Sequence, residues 1–239
     1  MDSISIVMPA YNEETRIESS LMEVSSHLAQ SGREYEIVVV DDGSSDTTRQ
    51  RLETLTGSMP QLIVVSYSEN RGKGCAVRRG VASASKATIL MTDADLSAPI
   101  DQLPKLERAL EMGFDIAIGS REAPGAFIPV RQPAYRKWGG RGLNLLIRIA
   151  AVPGIYDTQC GFKLFKAVAA KAVFEKCVID GFGFDVETLY LARKLGYSIK
   201  EVGVTWSHCE GSKVRPLMDG LRLIRDVARI RSANYSIKG

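Results

Sequence analysis

The residues best suited to chemistry are two carboxylates that follow an apolar run. Thr88–Thr92 has the pattern of a buried strand, Asp93 and Asp95 come directly after it, and Pro99 closes the loop. Carboxylates one residue apart repel each other unless a positive charge lies between them. Mg²⁺ in proteins typically binds one or two carboxylates together with substrate phosphates. The pair therefore indicates a divalent cation that carries a nucleotide diphosphate, and a solvated acidic turn is the alternative.

Alternating strand and helix patterns in the first half of the chain must position these carboxylates. Apolar residues at helical spacing predict helices over Glu14–Gln30 and Ile100–Met112, and a glycine-rich turn leads into another that ends near Ser83. Ser44 or Ser45 can cap a further helix. Short apolar runs predict five strands, at Ile4–Met8, Tyr35–Val40, Leu62–Tyr67, Thr88–Thr92 and Asp115–Gly119. This alternation predicts an α/β fold, with a mostly parallel central sheet and helices on both faces.

Polar clusters follow these predicted strands. In such sheets, ligands bind outside the carboxyl ends of the strands. The clusters are Pro9–Glu13, Asp41–Ser45, Asn70–Gly74, Asp93–Ser97 and Ser120–Glu122. Because five clusters converge on one edge, we expect a binding site there.

The second half loses this regular alternation. Its predicted elements are a proline-containing loop at 119–133, helices at 137–151, 184–195 and 217–231, a loop at 157–165 that runs into a short strand, and a strand at 198–206. In the last helix, Leu217, Leu221, Ile224, Val227 and Ala228 form an apolar side, and Arg222, Arg225, Arg229 and Arg231 form a basic side. Such a helix can lie at a membrane interface, or its apolar side can pack on the sheet.

Composition narrows the class of protein. The chain has 239 residues, 45% of them apolar, and a net charge of +3, which is too mild to indicate nucleic-acid binding. Its four cysteines show neither close pairing nor zinc spacing, which favours free thiols in a reducing cytosol. We find no leader pattern and no apolar run of membrane-spanning length, so we expect a cytoplasmic protein, at most peripheral on a membrane.

The order of the motifs resembles that of the family 2 glycosyltransferases with the GT-A fold. The motifs that carry the resemblance are Pro9–Glu13, Val40–Asp46, Asn70–Gly74 and Asp93–Asp95. Three later segments, Asp157–Lys163, Gly183–Glu187 and Glu210–Lys213, resemble the polyprenyl-phosphate branch, and most closely the dolichyl-phosphate glucosyltransferases. The related mannose synthases tend to carry a Pro-Thr-Ser-Gly-Tyr-Arg-like version of the segment that reads Thr-Gln-Cys-Gly-Phe-Lys here, at 158–163. The resemblance covers essentially the whole chain.

This resemblance implies a fold, a reaction and two substrates. The fold is one GT-A domain over 1–239 with a Rossmann-like sheet, in which 1–119 bind the sugar nucleotide and 120–239 bind the acceptor. The reaction is an inverting transfer of glucose from UDP-glucose to a polyprenyl phosphate of the dolichyl type. The product is a β-linked lipid-phosphate sugar.

The resemblance also implies which residues hold the donor. Pro9, Tyr11, Glu13 and Asp41 contact the nucleoside, and a carboxylate such as Asp41 can accept from the imide N–H of uracil. The alternative is that they only shape a turn and cap a helix. Asp93 and Asp95 hold Mg²⁺ or Mn²⁺, and Asp95 counts among the catalytic residues. A Gln two residues after the second Asp also contacts the metal in the mannose synthases, but this chain has Ser97 there, which leaves the third ligand open to water.

The acceptor requires cations more than it requires a base, because a phosphate monoester is mostly dianionic at neutral pH. The candidate cations are Arg121, Arg131, Arg136, Lys137 and Lys213. The resemblance favours Arg121 and the Ser212–Lys213 pair, and Lys73 can approach a phosphate from its glycine-rich turn.

Two further carboxylates, Asp157 and Asp185, are catalytic candidates. Asp185 lies where many family 2 enzymes with hydroxyl acceptors carry a base, but for a phosphate acceptor it can instead be structural or orient a cation. The alternatives that stay open are a GDP-mannose-dependent mannosyltransferase, a transferase with a hydroxyl acceptor, and a nucleotide-binding module without catalysis. A dinucleotide-dependent oxidoreductase is disfavoured, because no Gly-x-Gly-x-x-Gly turn follows the first strand.

Overall fold

The protein is built on one seven-stranded sheet, seen in a computed structural model that describes residues 3–129, 151–208, 216–233 and 235. The strands are β1 (Ser3–Ala10), β2 (Glu34–Asp42), β3 (Leu62–Tyr67), β4 (Thr88–Met91), β5 (Ile116–Ser120), β6 (Lys163–Lys166) and β7 (Ile199–Gly203). Their order in the sheet is β3-β2-β1-β4-β6-β5-β7. Neighbouring strands run parallel except at β6, which is antiparallel to both β4 and β5.

The antiparallel strand β6 matters for the site. Its first residue, Lys163, pairs with Met91 at the end of β4 and with Ile118 in β5. The amino end of β6 therefore lies at the same edge of the sheet as the carboxyl ends of the parallel strands. The segment before β6 is brought beside the Asp93–Asp95 loop as a result.

Helices cover both faces of the sheet, as the sequence predicts. They are α1 (Ile17–Gln30), α2 (Thr48–Thr56), α3 (Lys73–Ser83), α4 (Leu103–Glu111), α5 (Ala167–Phe174), α6 (Phe184–Lys194) and α7 (Pro216–Ser232), and a 3₁₀ turn over Ile100–Gln102 precedes α4. One core packs α1, α2 and α4 on the sheet, and the other packs α3, α5, α6 and α7 on the opposite face. Strands buried on both faces read as apolar runs, which is why their positions were predictable.

Two local predictions are wrong. Ser44 and Ser45 do not cap α2, which begins at Thr48; the Ser44 hydroxyl accepts from the Asn12 amide (2.9 Å), and the Ser45 amide donates to the Asn12 side chain (2.8 Å). Asn12 reaches across from the loop after β1 and takes these partners, so the serines tie two loops together.

The second error concerns the face of α7 that packs on the protein. Leu223, Val227 and Ile230 are buried, whereas Ile224 is 49% exposed and Ala228 is also exposed. The buried set keeps helical spacing but is rotated from the predicted one, and α7 packs against α6. The side chains of Leu217 and Leu221 lie outside the described residues. Among the described helices, none combines the length and apolar character needed to cross a membrane.

Candidate active site

The loop after β2 contains a carboxylate with an unused oxygen. Asp41 is fully buried, and its Oδ1 accepts a hydrogen bond from the Ser44 amide (3.1 Å). Its Oδ2 is also buried and has no hydrogen-bond partner among the described residues. Leaving a buried acceptor unsatisfied costs free energy, so such atoms in native proteins call for a structural or functional explanation. Asp41 therefore fits a role in receiving an N–H donor from a ligand.

The loop after β1 lies beside it. Pro9 pairs in the sheet with Val40, and Tyr11 and Glu13 follow on the same edge, where the Glu13 amide donates to the Thr48 hydroxyl (2.8 Å). The Glu13 carboxylate also pairs with Arg16 (2.9 Å). Asn12 has a φ of 52°, in the left-handed region that non-glycine residues seldom adopt. The four residues predicted to contact a nucleoside thus converge on two interlocked loops.

Asp42, which the sequence analysis did not single out, organises the next loop. Its carboxylate accepts from the Tyr67 hydroxyl (2.6 Å), the Asn70 side chain (2.9 Å), and the Arg71 and Gly72 amides (2.8 and 2.9 Å). These bonds fix the turn that places Lys73 at the start of α3.

The glycines of this turn lie against protein backbone. Gly72 has a φ of 104°, and the Gly74 amide donates to the Asp180 carbonyl (2.7 Å). A Cβ on Gly74 would lie under 3.0 Å from the Ile179 carbonyl oxygen. The glycine at 74 therefore serves the packing of α3 against the segment before α6.

The carboxylate pair lies at the end of β4. Asp93 Oδ1 is 2.5 Å from the Lys73 ammonium, and the Asp93 side chain is 33% exposed. Asp95 Oδ1 accepts from the Ser97 amide (2.9 Å), and Leu96 between them has a φ of 46°. Non-glycine residues in this conformation cluster at active sites and ligand-binding loops, so Leu96 makes this loop a candidate site.

Gly161 forms the other side of the Asp93 carboxylate. A Cβ on Gly161 would lie under 3.0 Å from both Asp93 oxygens, a separation that real Cβ atoms essentially never show. A small pocket continues below, lined by Thr92, Asp93, Ser97, Ala98, Cys160, Gly161, Phe162 and Trp206. The position of Asp93 is thus set by Lys73 on one oxygen and by glycine backbone against the carboxylate.

These residues fit a divalent cation that is shared with a substrate. No group of three His, Cys, Asp or Glu side chains suited to a metal occurs in the part of the chain that is described. Two partly exposed carboxylates, with phosphate oxygens to complete the set, match the way Mg²⁺ is usually held. Asp93, Asp185 and Asp95 also surround Lys73, so the local charge is negative despite the ammonium.

Asp185 and Lys163 form a buried pair beside this site. Lys163 is fully buried, and its ammonium donates to Asp185 Oδ1 and to the Cys160 carbonyl (2.7 Å). Burial raises the pKa of the Asp185 carboxyl, although Lys163 and Lys73 act in the opposite direction. Burial alone would lower the pKa of Lys73, but Asp93 and Asp185 more than offset this and raise it, so the Lys73 ammonium keeps its charge.

Asp157 is paired with Arg121. Both oxygens of Asp157 accept from the guanidinium, through Nε and Nη2 (2.7 Å each), and Oδ2 also accepts from the Arg121 amide (2.9 Å). The guanidinium lies over the Trp206 ring, 5.2 Å from its centre. Burial would raise the pKa of the Asp157 carboxyl, but the charge of Arg121 outweighs it and holds that pKa below its usual value.

The predicted site residues that are described form three groups. The nucleoside candidates lie on the loops after β1 and β2. Lys73, Asp93, Asp95 and Asp185 form the second group, and Arg121 with Asp157 forms the third. Arg131, Arg136, Lys137, Ser212 and Lys213 lie outside the described residues. The sequence analysis missed the structural roles of Asp42, Gly161, Lys163 and Trp206. The most visible signal was Lys163, a charge between the apolar residues Phe162 and Leu164 at the start of a strand.

Similarity to known proteins identifies the family. Residues 5–174 match the family model described as Glycosyl transferase family 2. Proteins named dolichyl-phosphate beta-glucosyltransferase are similar over most of both chains: that of Dictyostelium discoideum is 33% identical over 95% of this chain and 73% of its own, and that of Homo sapiens is 36% identical over 95% and 74%.

A solved structure shares the fold. Glucosyl-3-phosphoglycerate synthase from Mycobacterium tuberculosis, in complex with Mn²⁺, uridine diphosphate and phosphoglyceric acid, superposes with a TM-score of 0.70 at 23% identity. The match covers 100% of this chain and 80% of that chain. The predicted GT-A fold is confirmed, and the chain belongs to glycosyl transferase family 2.

Proposed function

We propose that this protein is an inverting glucosyltransferase that moves glucose from UDP-glucose to a polyprenyl phosphate of the dolichyl type. The observation that carries the proposal is the assembly of Asp93 and Asp95 beside Lys73 at the carboxyl edge of the sheet. The names of its relatives, which are dolichyl-phosphate beta-glucosyltransferases, support the transfer of glucose to dolichyl phosphate. The products are a β-linked glucosyl phosphate lipid and UDP.

The donor half of the proposal rests on the loops after β1, β2, β3 and β4. Asp41 Oδ2 accepts the uracil imide N–H, Pro9, Tyr11 and Glu13 line the nucleoside, and Lys73 faces the diphosphate. Asp93 and Asp95 would hold Mg²⁺ or Mn²⁺, and the mycobacterial neighbour's complex with Mn²⁺ and UDP supports such an ion. When bound, the ion offsets the negative charge that develops on the leaving diphosphate.

The acceptor half of the proposal uses Arg121. Asp157 holds the Nε and Nη2 edge and Trp206 covers one face. Nη1 has no hydrogen-bond partner among the described residues, so it can donate to a phosphate oxygen. A dianionic phosphate is already a nucleophile. Its oxygen attacks C1 of glucose as the bond from C1 to the UDP oxygen breaks with its electron pair, which inverts the configuration. In this proposal, Asp157 and Asp185 orient cations, and Arg136, Ser212 and Lys213 add further phosphate contacts.

The proposal also assigns the two substrates to different parts of the chain. Residues 1–119 supply most of the donor site and 120–239 supply the acceptor site. The sheet takes strands from both parts, and Gly161 and Asp185 reach across to Asp93 and Lys73, which supports a single domain.

A lipid-extraction assay tests the reaction. The protein is incubated with polyprenyl phosphate, Mn²⁺ and radiolabelled UDP-glucose or GDP-mannose. We expect label in the organic phase from UDP-glucose only. Organic label from GDP-mannose alone would make this a mannosyltransferase, and label transferred only to water-soluble acceptors would indicate a hydroxyl acceptor. UDP binding by calorimetry without any turnover would leave a nucleotide-binding module.

An Arg121→Lys variant tests the acceptor contact. Lysine keeps the charge but loses the two-point contact with Asp157 and the stacking on Trp206, so we expect the KM for polyprenyl phosphate to rise about tenfold. The KM for UDP-glucose should change less than about twofold, since the donor loops are untouched. Initial rates at varied concentrations of each substrate measure both. The control is Arg49→Lys, on the exposed surface of α2. If Arg121→Lys raised the KM for UDP-glucose instead of the KM for polyprenyl phosphate, the assignment of Arg121 to the acceptor would be contradicted.

The outer face of α7 is a candidate surface for contact with the membrane that carries the lipid acceptor. Leu223, Val227 and Ile230 are buried in the protein, while Ile224 and the four arginines Arg222, Arg225, Arg229 and Arg231 are exposed. Basic residues near an anionic bilayer each contribute about 1 kcal/mol to binding. We propose that this face rests peripherally on an anionic, cytoplasmic-side membrane surface.

Vesicle sedimentation tests the membrane contact. We expect the protein to pellet with phosphatidylserine-containing vesicles at low salt, and Arg225→Glu/Arg229→Glu to reduce the bound fraction by at least roughly fivefold. Arg49→Glu/Arg51→Glu makes the same charge change on the exposed surface of α2 and is the matched control. Equal losses in both variants would show a net-charge effect and would contradict a specific role for α7.

A further inference from the structure

The most unusual buried group outside the proposed reaction is the ammonium of Lys163. Its side chain is 0% exposed, and lysine is almost never fully buried unless it is paired. Taking an ammonium out of water is costly and has to be offset by good partners. Lys163 has two: the carboxylate of Asp185 and the carbonyl of Cys160 (2.7 Å). Each of these two partners connects Lys163 to Asp93.

The first path runs through backbone. The Cys160 carbonyl belongs to the peptide that continues into Gly161, and the Asp93 carboxylate lies directly against Gly161. The Gly119 amide donates to the Phe162 carbonyl (2.8 Å), so the segment is also tied to β5 just beyond Gly161. By holding the Cys160 carbonyl, the ammonium fixes the surface on which Asp93 rests.

The second path runs through charge. Asp185 lies between Lys163 and Lys73, and its negative charge is one of the influences that raise the pKa of Lys73. The Lys73 ammonium is 2.5 Å from Asp93 Oδ1, and it is 5.9 Å from the ring centre of Phe184, the neighbour of Asp185. Lys163, Asp185, Lys73 and Asp93 thus form a row of alternating charge that ends at the proposed metal ligand.

We propose that Lys163 is a positioning residue for Asp93, which acts through the Cys160–Gly161 backbone and, by way of Asp185, through Lys73. The inference rests on the proposed function in one respect, because it takes Asp93 to be the ligand of the ion carried with the diphosphate. In physical terms, the buried Lys163 ammonium holds the two groups that fix the Asp93 carboxylate, namely the Cys160–Gly161 backbone and Lys73. A second-layer contact of this kind commonly sets the geometry of the group that binds metal.

Three variants separate positioning from mere charge balance. Lys163→Met removes the ammonium. Lys163→Met/Asp185→Asn also removes the buried carboxylate, so no unpaired charge remains. Lys166→Met changes the next lysine of the same strand, whose side chain is 43% exposed and pairs with Asp115 (3.0 Å) away from the site. Thermal unfolding identifies any variant that fails to fold.

Two measurements need neither lipid nor turnover. Hydrogen–deuterium exchange of the ligand-free protein reports on residues 158–163, and calorimetry reports UDP affinity with Mn²⁺ and in chelator. We expect the single and the double variant to exchange faster in this segment and to bind UDP with Mn²⁺ at least roughly tenfold more weakly. UDP binding in chelator should weaken much less than binding with Mn²⁺, because the nucleoside loops after β1 and β2 are untouched and only the contact of Lys73 with the diphosphate is affected. Lys166→Met should match the unchanged protein.

Each contrary result has a distinct meaning. If the double variant regains full affinity for UDP with Mn²⁺, Lys163 only balances the charge of Asp185, and the inference is wrong. Unchanged exchange at 158–163, or an equal loss of UDP binding in chelator, would also overturn it. If Mn²⁺ fails to strengthen UDP binding even in the unchanged protein, the proposed function is wrong. The claim that Lys163 positions a metal ligand is then wrong as well.

Discussion

An Asp93→Asn/Asp95→Asn variant is expected to transfer glucose at least roughly a thousandfold more slowly than the unchanged protein, because removing even one preorganised electrostatic contact to a developing charge commonly costs a hundredfold or more. Asparagine keeps the size of aspartate but cannot hold a divalent cation with comparable strength. The Asp95 contact to the Ser97 amide can persist with asparagine, and Asp93 is partly exposed, so the fold should survive. The measurement is kcat/KM for UDP-glucose at saturating polyprenyl phosphate and Mn²⁺.

The control for this variant is Asp101→Asn, the same change on the exposed turn before α4. Chelator should abolish transfer by the unchanged protein, and added Mg²⁺ or Mn²⁺ should restore it. The double variant should show no such response, because its residual rate does not depend on the ion. Transfer by the double variant at the normal rate in chelator would rule out any role for a divalent cation in the reaction.

The sheet and its functional edge could be predicted because both depend on local pattern. Strands such as Ile4–Met8 and Tyr35–Val40 are buried on both faces, so they read as apolar runs, and the polar residues that follow them mark the strand ends. Parallel strands bring these ends to one edge. The sequence pattern alone was therefore enough to expect Asp41, Lys73, Asp93 and Asp95 at one edge of the sheet.

The pairing of charged side chains could not be predicted, because it depends on packing between segments that are distant in the sequence. Lys163 meets Asp185 only when α6 packs on the sheet beside β6, and Arg121 meets Asp157 across 36 residues of sequence. The packing face of α7 was predicted wrongly for the same reason, since both of its faces carry apolar side chains and tertiary contact selects one.

These pairings change how the two late carboxylates are interpreted. From sequence, Asp157 and Asp185 were candidates for direct catalysis. In the structure each is nearly fully buried and bonded to a cation, Arg121 or Lys163. A hydroxyl acceptor would need a base with access to it, whereas a phosphate acceptor needs oriented positive charge. The pairings therefore favour the phosphate acceptor over the hydroxyl alternative.

A Gly161→Ala variant is expected to lose at least roughly a hundredfold in kcat/KM while keeping its fold, because a misplaced site can cost that much in rate without a change in the reacting groups. The added methyl group would lie under 3.0 Å from both Asp93 oxygens. Asp93 has a short, partly exposed side chain that can rotate away, so the overlap can be relieved at little cost to the rest of the fold. That rotation takes the carboxylate off Lys73 and out of line with Asp95.

The decisive comparison for Gly161 is with Gly181→Ala. Position 181 has a negative φ and open space where a Cβ would lie, so the same substitution there should leave activity within about twofold of normal. For Gly161→Ala we expect an unfolding midpoint within about 5 °C of the unchanged protein, together with weaker binding of UDP with Mn²⁺ and unaltered binding of UDP in chelator. Full activity in Gly161→Ala would mean that the Asp93 carboxylate works equally well from another position, and the tight contact with Gly161 would then have no part in catalysis. A collapse of stability would instead place Gly161 in the structural core of the segment before β6, so the two roles are separable by one pair of measurements.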